Sequence, residues 1–243
     1  CLKSDDRKIV LVGDSFADSI STPLYRIASE FGYQFRIVFG YSCPYPFDKN
    51  NLKSAHPREC YADPALVRQQ IVANLSKGDI LVVRLFFQKN QYLRKMNPEA
   101  YNKAIRLLDG DVRERGATLV IVDTNPNYAI NPVCAQLRSN NFNSYASYRC
   151  AVMHLNSSAA NSFTLDFLPS LEQQKIKQNL SYALVDVTGV LCDRSLGTCY
   201  FDSPSDVYSS DSVHLNSNFI SFRILPRLRE AISLIYEGNL LVE

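Results

Sequence analysis

Lys8-Ile9-Val10-Leu11-Val12-Gly13-Asp14-Ser15 is the stretch from which the rest of the chain is read. Its four consecutive apolar residues, three of them β-branched, suit a strand buried on both faces, as in a parallel sheet. Ser15 then falls where that strand gives way to a helix. The first backbone N–H groups of a helix favour negative charge and can hold an oxyanion. A serine hydroxyl at such a place is positioned to act as a nucleophile once a base takes its proton.

Working outward, strands and helices alternate. Ile20, Leu24, Ile27, Ala28 and Phe31 follow one helical face, with Gly32 where a helix stops, which predicts a single helix after Ser15. A second strand is expected over Gln34 to Phe39, ending at Gly40, followed by an irregular loop near 41–63 that carries prolines and two cysteines. Pro64 begins a helix with Val67, Ile71 and Leu75 inward, and a third strand runs from Ile80 to about Phe87. Pro98 to Gly116 reads as a helix with Tyr101, Ile105, Leu108 and Val112 on one side, and Ala117 to Val122 as the fourth strand. A second loop insertion is read over 125–161, then a helix around Pro169 to Asn179 and a fifth strand from Ala183 to Val187. The last helix is capped by Asn216 and presents Phe219, Ile220, Ile224, Leu228 and Ile232. Alternation of this kind implies a parallel sheet covered on both faces, with right-handed crossovers, within one domain spanning 1–243. Ligands in such sheets bind at the carboxyl ends of the strands.

Composition narrows the class. With 46% apolar and 21% charged residues the chain can bury a sizeable core, and a net charge of +2 without a basic run gives no electrostatic footprint for nucleic acid. Its apolar stretches are far short of the roughly 20 residues that span a bilayer. No leader and no initiator methionine are present, so the chain reads as a mature or excised piece of a longer product. Six of the seven cysteines form local pairs, Cys43 with Cys60, Cys134 with Cys150 and Cys192 with Cys199, amid loop-forming residues. Proximity suggests three loop-closing disulfides and an oxidising compartment, with buried free thiols as the alternative. A zinc site is disfavoured, because no C-x-x-C spacing occurs and the histidines stand apart from the cysteines.

The candidate base lies near the other end of the chain, in Asp211-Ser212-Val213-His214. Neutral imidazole can deprotonate Ser15 near pH 7, and a carboxylate three residues earlier can reach the other ring nitrogen to fix the tautomer and stabilise imidazolium. His154 sits in a similar Met153-His154-Leu155-Asn156 block but has Ala151 where the aspartate should be, and His56 reads as a solvated loop residue. Asp14 either contacts substrate or stabilises the helix start. Tyr41, Tyr45, Phe47 and Tyr61 either stack on sugar rings or close the core beneath their loop.

Taken together, Gly13-Asp14-Ser15 and Asp211-x-x-His214 resemble the SGNH hydrolase superfamily of serine esterases and acyltransferases. The resemblance implies an α/β, flavodoxin-like three-layer α/β/α sandwich with a five-stranded parallel sheet. It implies Ser15 as nucleophile, Ser15, Gly40 and Asn90 as oxyanion-hole donors, and Asp211 and His214 as the remaining triad. Ser42-Cys43-Pro44, Val83-Arg84 and Tyr208-x-x-Asp211-x-x-His214-Leu215 are similar to the extracytoplasmic SGNH domains of membrane acyltransferases that O-acetylate bacterial surface polysaccharides. Phe16 stands where that subgroup commonly has histidine, and Gln88-Lys89-Asn90-Gln91 replaces a Gly-x-Asn-Asp block, which brings in Arg84 or Gln88 as possible oxyanion helpers.

The expected activity is therefore serine-dependent O-acetyl transfer, through an ester on Ser15, to a carbohydrate hydroxyl of a bacterial surface glycan. The alternatives are a carbohydrate O-acetylesterase with the same triad and an inactive glycan-binding module. No metal or organic cofactor is expected. Expected partners are the carbohydrate acceptor and an acetyl donor delivered by a membrane acyltransferase domain, with the chain itself monomeric. The implied location is periplasmic or extracellular, tethered to the inner membrane in the full-length protein.

Overall fold

Five strands pair in parallel in the order β2-β1-β3-β4-β5, and this order positions everything else. They are β1 (Lys8–Gly13), β2 (Gln34–Phe39), β3 (Ile80–Arg84), β4 (Thr118–Val122) and β5 (Ala183–Val185). The structure is a computed structural model that describes residues 7–39, 45, 64–84, 98–123, 159–193, 198–199, 202–203, 206–207 and 220–238. Every residue of β3 is buried, as expected of a central parallel strand, whereas the edge strand β2 has no buried residue.

Side-chain alternation along the strands divides the core into two layers. Ile9 and Leu11 of β1, Ile80 and Val82 of β3, and Val120 and Val122 of β4 face one way; Val10, Val12, Leu81, Val83, Leu119 and Ile121 face the other. The first layer is closed by Leu24, Ile27 and Ala28 of α2 (Ser21–Glu30) and by Leu228, Ala231 and Ile232 of the last helix. The second is closed by Ile71 and Val72 of α3 (Pro64–Ala73) and by Ile105, Leu108 and Val112 of α4 (Pro98–Glu114). Each fully buried aliphatic side chain contributes about 1.5–3 kcal/mol, so the two layers supply the main stabilising term. The architecture is the expected α/β, flavodoxin-like α/β/α sandwich.

Several expected elements change at their ends. The single helix after Ser15 is two helices, α1 (Ser15–Ser19) and α2, separated at Ile20. Pro23 explains the break: inside one continuous helix it would lack the N–H needed by the Ser19 carbonyl, whereas in the first turn of a new helix no such donor is needed. The helix expected near Pro169 is α5 (Ala159–Gln178), which begins within the expected second insertion and keeps Pro169 in its interior. β5 ends at Val185 instead of Val187, because a short helix, α6 (Thr188–Leu191), starts directly afterwards. The last helix is a π turn over Ile220–Ile224 continuing into α7 (Leu225–Tyr236), with Pro226 in its first turn. Asn216, and the segment after Arg84 that was expected to extend β3, lie outside the described residues.

Buried carboxylates tie the loops at the amino ends of the strands. Asp79, fully buried, accepts the backbone N–H of Lys8 at 2.8 Å and of Ser76 at 2.7 Å, and pairs with Lys8 Nζ at 2.9 Å. This clamps the start of β1 to the turn before β3. Asp109 of α4 accepts the N–H and hydroxyl of Ser181, each at 3.3 Å, and so ties that helix to the start of β5. Next to it, Tyr182 donates its hydroxyl to the Leu171 carbonyl at 2.8 Å. Burial, with Asp109 and Glu172 adding to it, pushes the Tyr182 pKa up and keeps this donor protonated.

Two substitutions test these constraints. A β-carbon on Gly13 would lie 1.9 Å from the Arg84 carbonyl oxygen of the paired strand, so Gly13→Ala is expected to abolish the cooperative thermal transition or the yield of soluble protein. Asp79→Asn is expected to cost about 2–4 kcal/mol, lowering Tm by roughly 5–15 °C in thermal unfolding. An unchanged Tm would show that the Lys8–Asp79 clamp contributes nothing.

Candidate active site

Ser15 is placed by three local features. β1 stops at Gly13, which lies between Phe39 of β2 and Arg84 of β3. Asp14 follows in an extended conformation (φ −103°, ψ −156°), and its Oδ1 accepts the Phe16 N–H at 2.9 Å, capping α1. Ser15 is then the first residue of α1, partly exposed, with Phe16 and Ala17 buried behind it. In the observed strand order the chain leaves β1 for β2 on one side and returns to β3 on the other. The crevice between the carboxyl ends of β1 and β3 is therefore the topological switch point, where ligands bind in sheets of this kind. Ser15 stands at that point.

Beneath it lies a buried cation. Arg84, the last residue of β3, is fully buried, and its Nη1 donates to the Phe16 carbonyl and to Ser19 Oγ, each at 2.9 Å. Ser19 Oγ in turn donates to the Phe16 carbonyl at 2.7 Å. Desolvation pulls the Arg84 pKa down to about 10, with Asp14 and Asp123 opposing it, so the guanidinium remains charged at neutral pH. Asp123, also fully buried, follows β4 and accepts the Thr188 N–H at 3.0 Å, which holds the start of α6. Arg84 is fully buried and its Nη1 is held on α1, which makes it a support of the helix that carries Ser15. Asp14 acts as the cap of α1 and as a neighbouring counter-charge of Arg84.

Of the other residues singled out in the sequence, Gly40, Gln88, Asn90, Asp211 and His214 lie outside the described residues, as do His56 and His154. Asp211 and His214 belong to the connection between the hairpin of β8 (Asp202–Ser203) and β9 (Asp206–Val207) and the π turn at Ile220. Cys43, Cys60, Cys134 and Cys150 are likewise outside. Cys192 is disulfide-bonded, and the residue directly opposite it in the hairpin of β6 (Cys192–Asp193) and β7 (Thr198–Cys199) is Cys199. Tyr45 is buried against the α3–α4 layer and closes the core; Tyr41, Phe47 and Tyr61 lie outside the described residues. Sequence reasoning missed Ser19 and Asp123. A polar residue at the end of an otherwise apolar strand was the available signal, since Arg84 and Asp123 both occupy such positions. Among the described residues no group of three or more His, Cys, Asp or Glu is gathered to hold a metal ion, and no helix is long and apolar enough to cross a membrane.

Comparison with known proteins bears on this arrangement. The SGNH domain family, described as fused to AT3 domains, matches residues 1–222. No protein of curated function is similar enough in sequence to be matched. Among solved structures, the periplasmic domain of the lipopolysaccharide acetyltransferase of Salmonella ser. Paratyphi A superposes with a TM-score of 0.61 at 15% identity, over 96% of this chain and 84% of that one. A protein from Slackia heliotrinireducens assigned to the SGNH hydrolases gives 0.56 at 18% identity, over 94% and 100%. A GDSL-like lipase from Bacteroides thetaiotaomicron gives 0.51 at 12% identity, over 96% and 89%. These likenesses establish a shared fold. With the family match spanning nearly the whole chain and Ser15 at the switch point of the sheet, the chain belongs to the SGNH domains of the kind fused to AT3 domains, whose chemistry is acyl transfer or acyl hydrolysis.

Proposed function

We propose that this domain is a serine-dependent O-acetyltransferase that carries an acetyl group on Ser15 and passes it to a carbohydrate hydroxyl of a bacterial surface glycan. The observation that carries the reading is the position of Ser15, partly exposed at the amino end of α1 and at the switch point of the sheet. Membership in a family fused to AT3 domains supports transfer, as does the shared fold with a lipopolysaccharide acetyltransferase domain. Both also support an extracytoplasmic location beside a membrane acyltransferase partner that supplies the acetyl group.

In this reading His214, oriented by Asp211, takes the Ser15 proton as Oγ attacks the acetyl carbonyl carbon. The carbonyl oxygen becomes an oxyanion held by the N–H groups of Ser15 and Gly40 and by Asn90. Collapse expels the donor's heteroatom, which takes the proton from the imidazolium, and leaves acetyl-Ser15. The acceptor hydroxyl then loses its proton to His214 and attacks the ester. A second collapse releases the acetylated sugar and returns the proton to Ser15 Oγ. Water in place of the sugar would make the same site an esterase, so exclusion of water by the bound acceptor decides between the two outcomes.

Ser15→Ala is expected to abolish labelling by a serine-directed phosphonate that modifies the wild type, with the far-UV spectrum unchanged. Absence of labelling in folded wild type would instead favour a glycan-binding module. Incubation with an acetyl donor and candidate glycans should give acetylated sugar in excess of free acetate, and acetate alone would assign the esterase. For the cysteines, non-reducing peptide mapping is expected to recover Cys192 linked to Cys199, Cys43 to Cys60 and Cys134 to Cys150. Free thiols at all six would remove the argument for an oxidising compartment.

A further inference from the structure

We propose that Arg84 is a positioning residue for the nucleophile, anchoring the short helix α1 from below so that Ser15 keeps its attacking geometry. The inference rests on Ser15 being the nucleophile. α1 has only five residues, far below the roughly 12–15 at which a helix begins to hold itself together in water. Its amino end is held by the Asp14 cap. At its carboxyl end the Ile20 N–H turns to the Ala17 carbonyl at 3.1 Å, leaving the helix's usual donor to the Phe16 carbonyl elsewhere. Arg84 Nη1 and Ser19 Oγ both donate to that carbonyl, and Nη1 also donates to Ser19 Oγ, so three groups lock one turn. The locked carbonyl belongs to the residue directly after Ser15.

Burying a guanidinium is costly, and an aliphatic side chain of similar volume would fill the space without that cost. What the guanidinium adds is direction, a rigid planar fork whose donors point at fixed sites. Its charge is opposed by carboxylates on both sides: Asp14, which adjoins Ser15, and Asp123, which holds the start of α6. The same cluster therefore spans the ends of β1, β3 and β4. Arg84 is fully buried and bonds α1 through Nη1, so its influence on Ser15 runs through that helix.

Arg84→Lys, Arg84→Met and Ser19→Ala test this at a temperature where each variant is fully folded by circular dichroism. The readouts are the rate constant of phosphonate labelling at Ser15 and the kcat and KM for p-nitrophenyl acetate. Arg84→Met is expected to lower labelling and kcat by roughly 100-fold with KM nearly unchanged, the scale of loss for a displacement of about 1 Å. Arg84→Lys should recover part of that loss, and Ser19→Ala should slow labelling several-fold without a matching fall in Tm. Should Arg84→Met fail to fold, the other two decide. Labelling and kcat at wild-type values in folded Arg84→Lys and Ser19→Ala would overturn the proposal. Wild type that does not label at all overturns the assignment of Ser15 itself, a failure visible without any variant.

Discussion

The Arg84 carbonyl occupies the space that a β-carbon on residue 13 would need, and this close approach governs the active end of the molecule. It is the last contact of the β1–β3 pairing, Gly13 against Arg84. Only a residue without a side chain lets the two strands stay paired to their ends while the chain turns out of the sheet. Asp14 and Ser15 follow immediately, so the tightness of that pairing is passed on to the capped first turn of α1. A looser junction would leave Ser15 on a flexible segment, and orientation is a large part of what a nucleophile needs.

Charge burial in this fold is concentrated at the ends of the strands. Asp79 lies before β3 and Arg84 at its end; Asp123 follows β4, and Asp14 follows β1. The hydrophobic layers between them carry no buried charge on the strand residues facing α2, α3, α4 and α7. At the amino ends, Asp79 and Asp109 join loops to strands and serve the stability of the sheet. At the carboxyl ends, Arg84 bonds the turn that presents Ser15, with Asp14 and Asp123 as its neighbouring carboxylates. Removing one member of a buried ion group leaves an uncompensated charge, so each member holds its partners in place.

Much of the fold was legible residue by residue. The run Ile9 to Val12 announced a strand buried on both faces, and β2 falls on Gln34 to Phe39 as read, because its flanking Gly and polar residues are strong local stop signals. The break in the helix after Ser15 was not read, although Pro23 was visible, because the apolar spacing from Ile20 to Phe31 continues across it. Pro169 misleads in the opposite sense: a proline suits the start of a helix, and here it lies inside one. At the candidate site, the place of Ser15 follows from local pattern, whereas Asp14 is open in the sequence between substrate contact and the helix start, and the structure shows it capping α1. The orientation of Arg84 does not follow from local pattern, since a lone arginine within an apolar run is compatible with a cleft or with the core.

The sequence alone determined the five strands of the main sheet in outline and that Ser15 sits at the first junction of strand and helix, since periodicity, capping and turn chemistry act over a few residues. The strand order, with β1 beside β3, was decided only by the tertiary structure. So was the bond from Arg84 to the Phe16 carbonyl, which joins residues 68 positions apart. Such contacts form only after the sheet has brought the strand ends together, and their direction depends on packing from both faces at once.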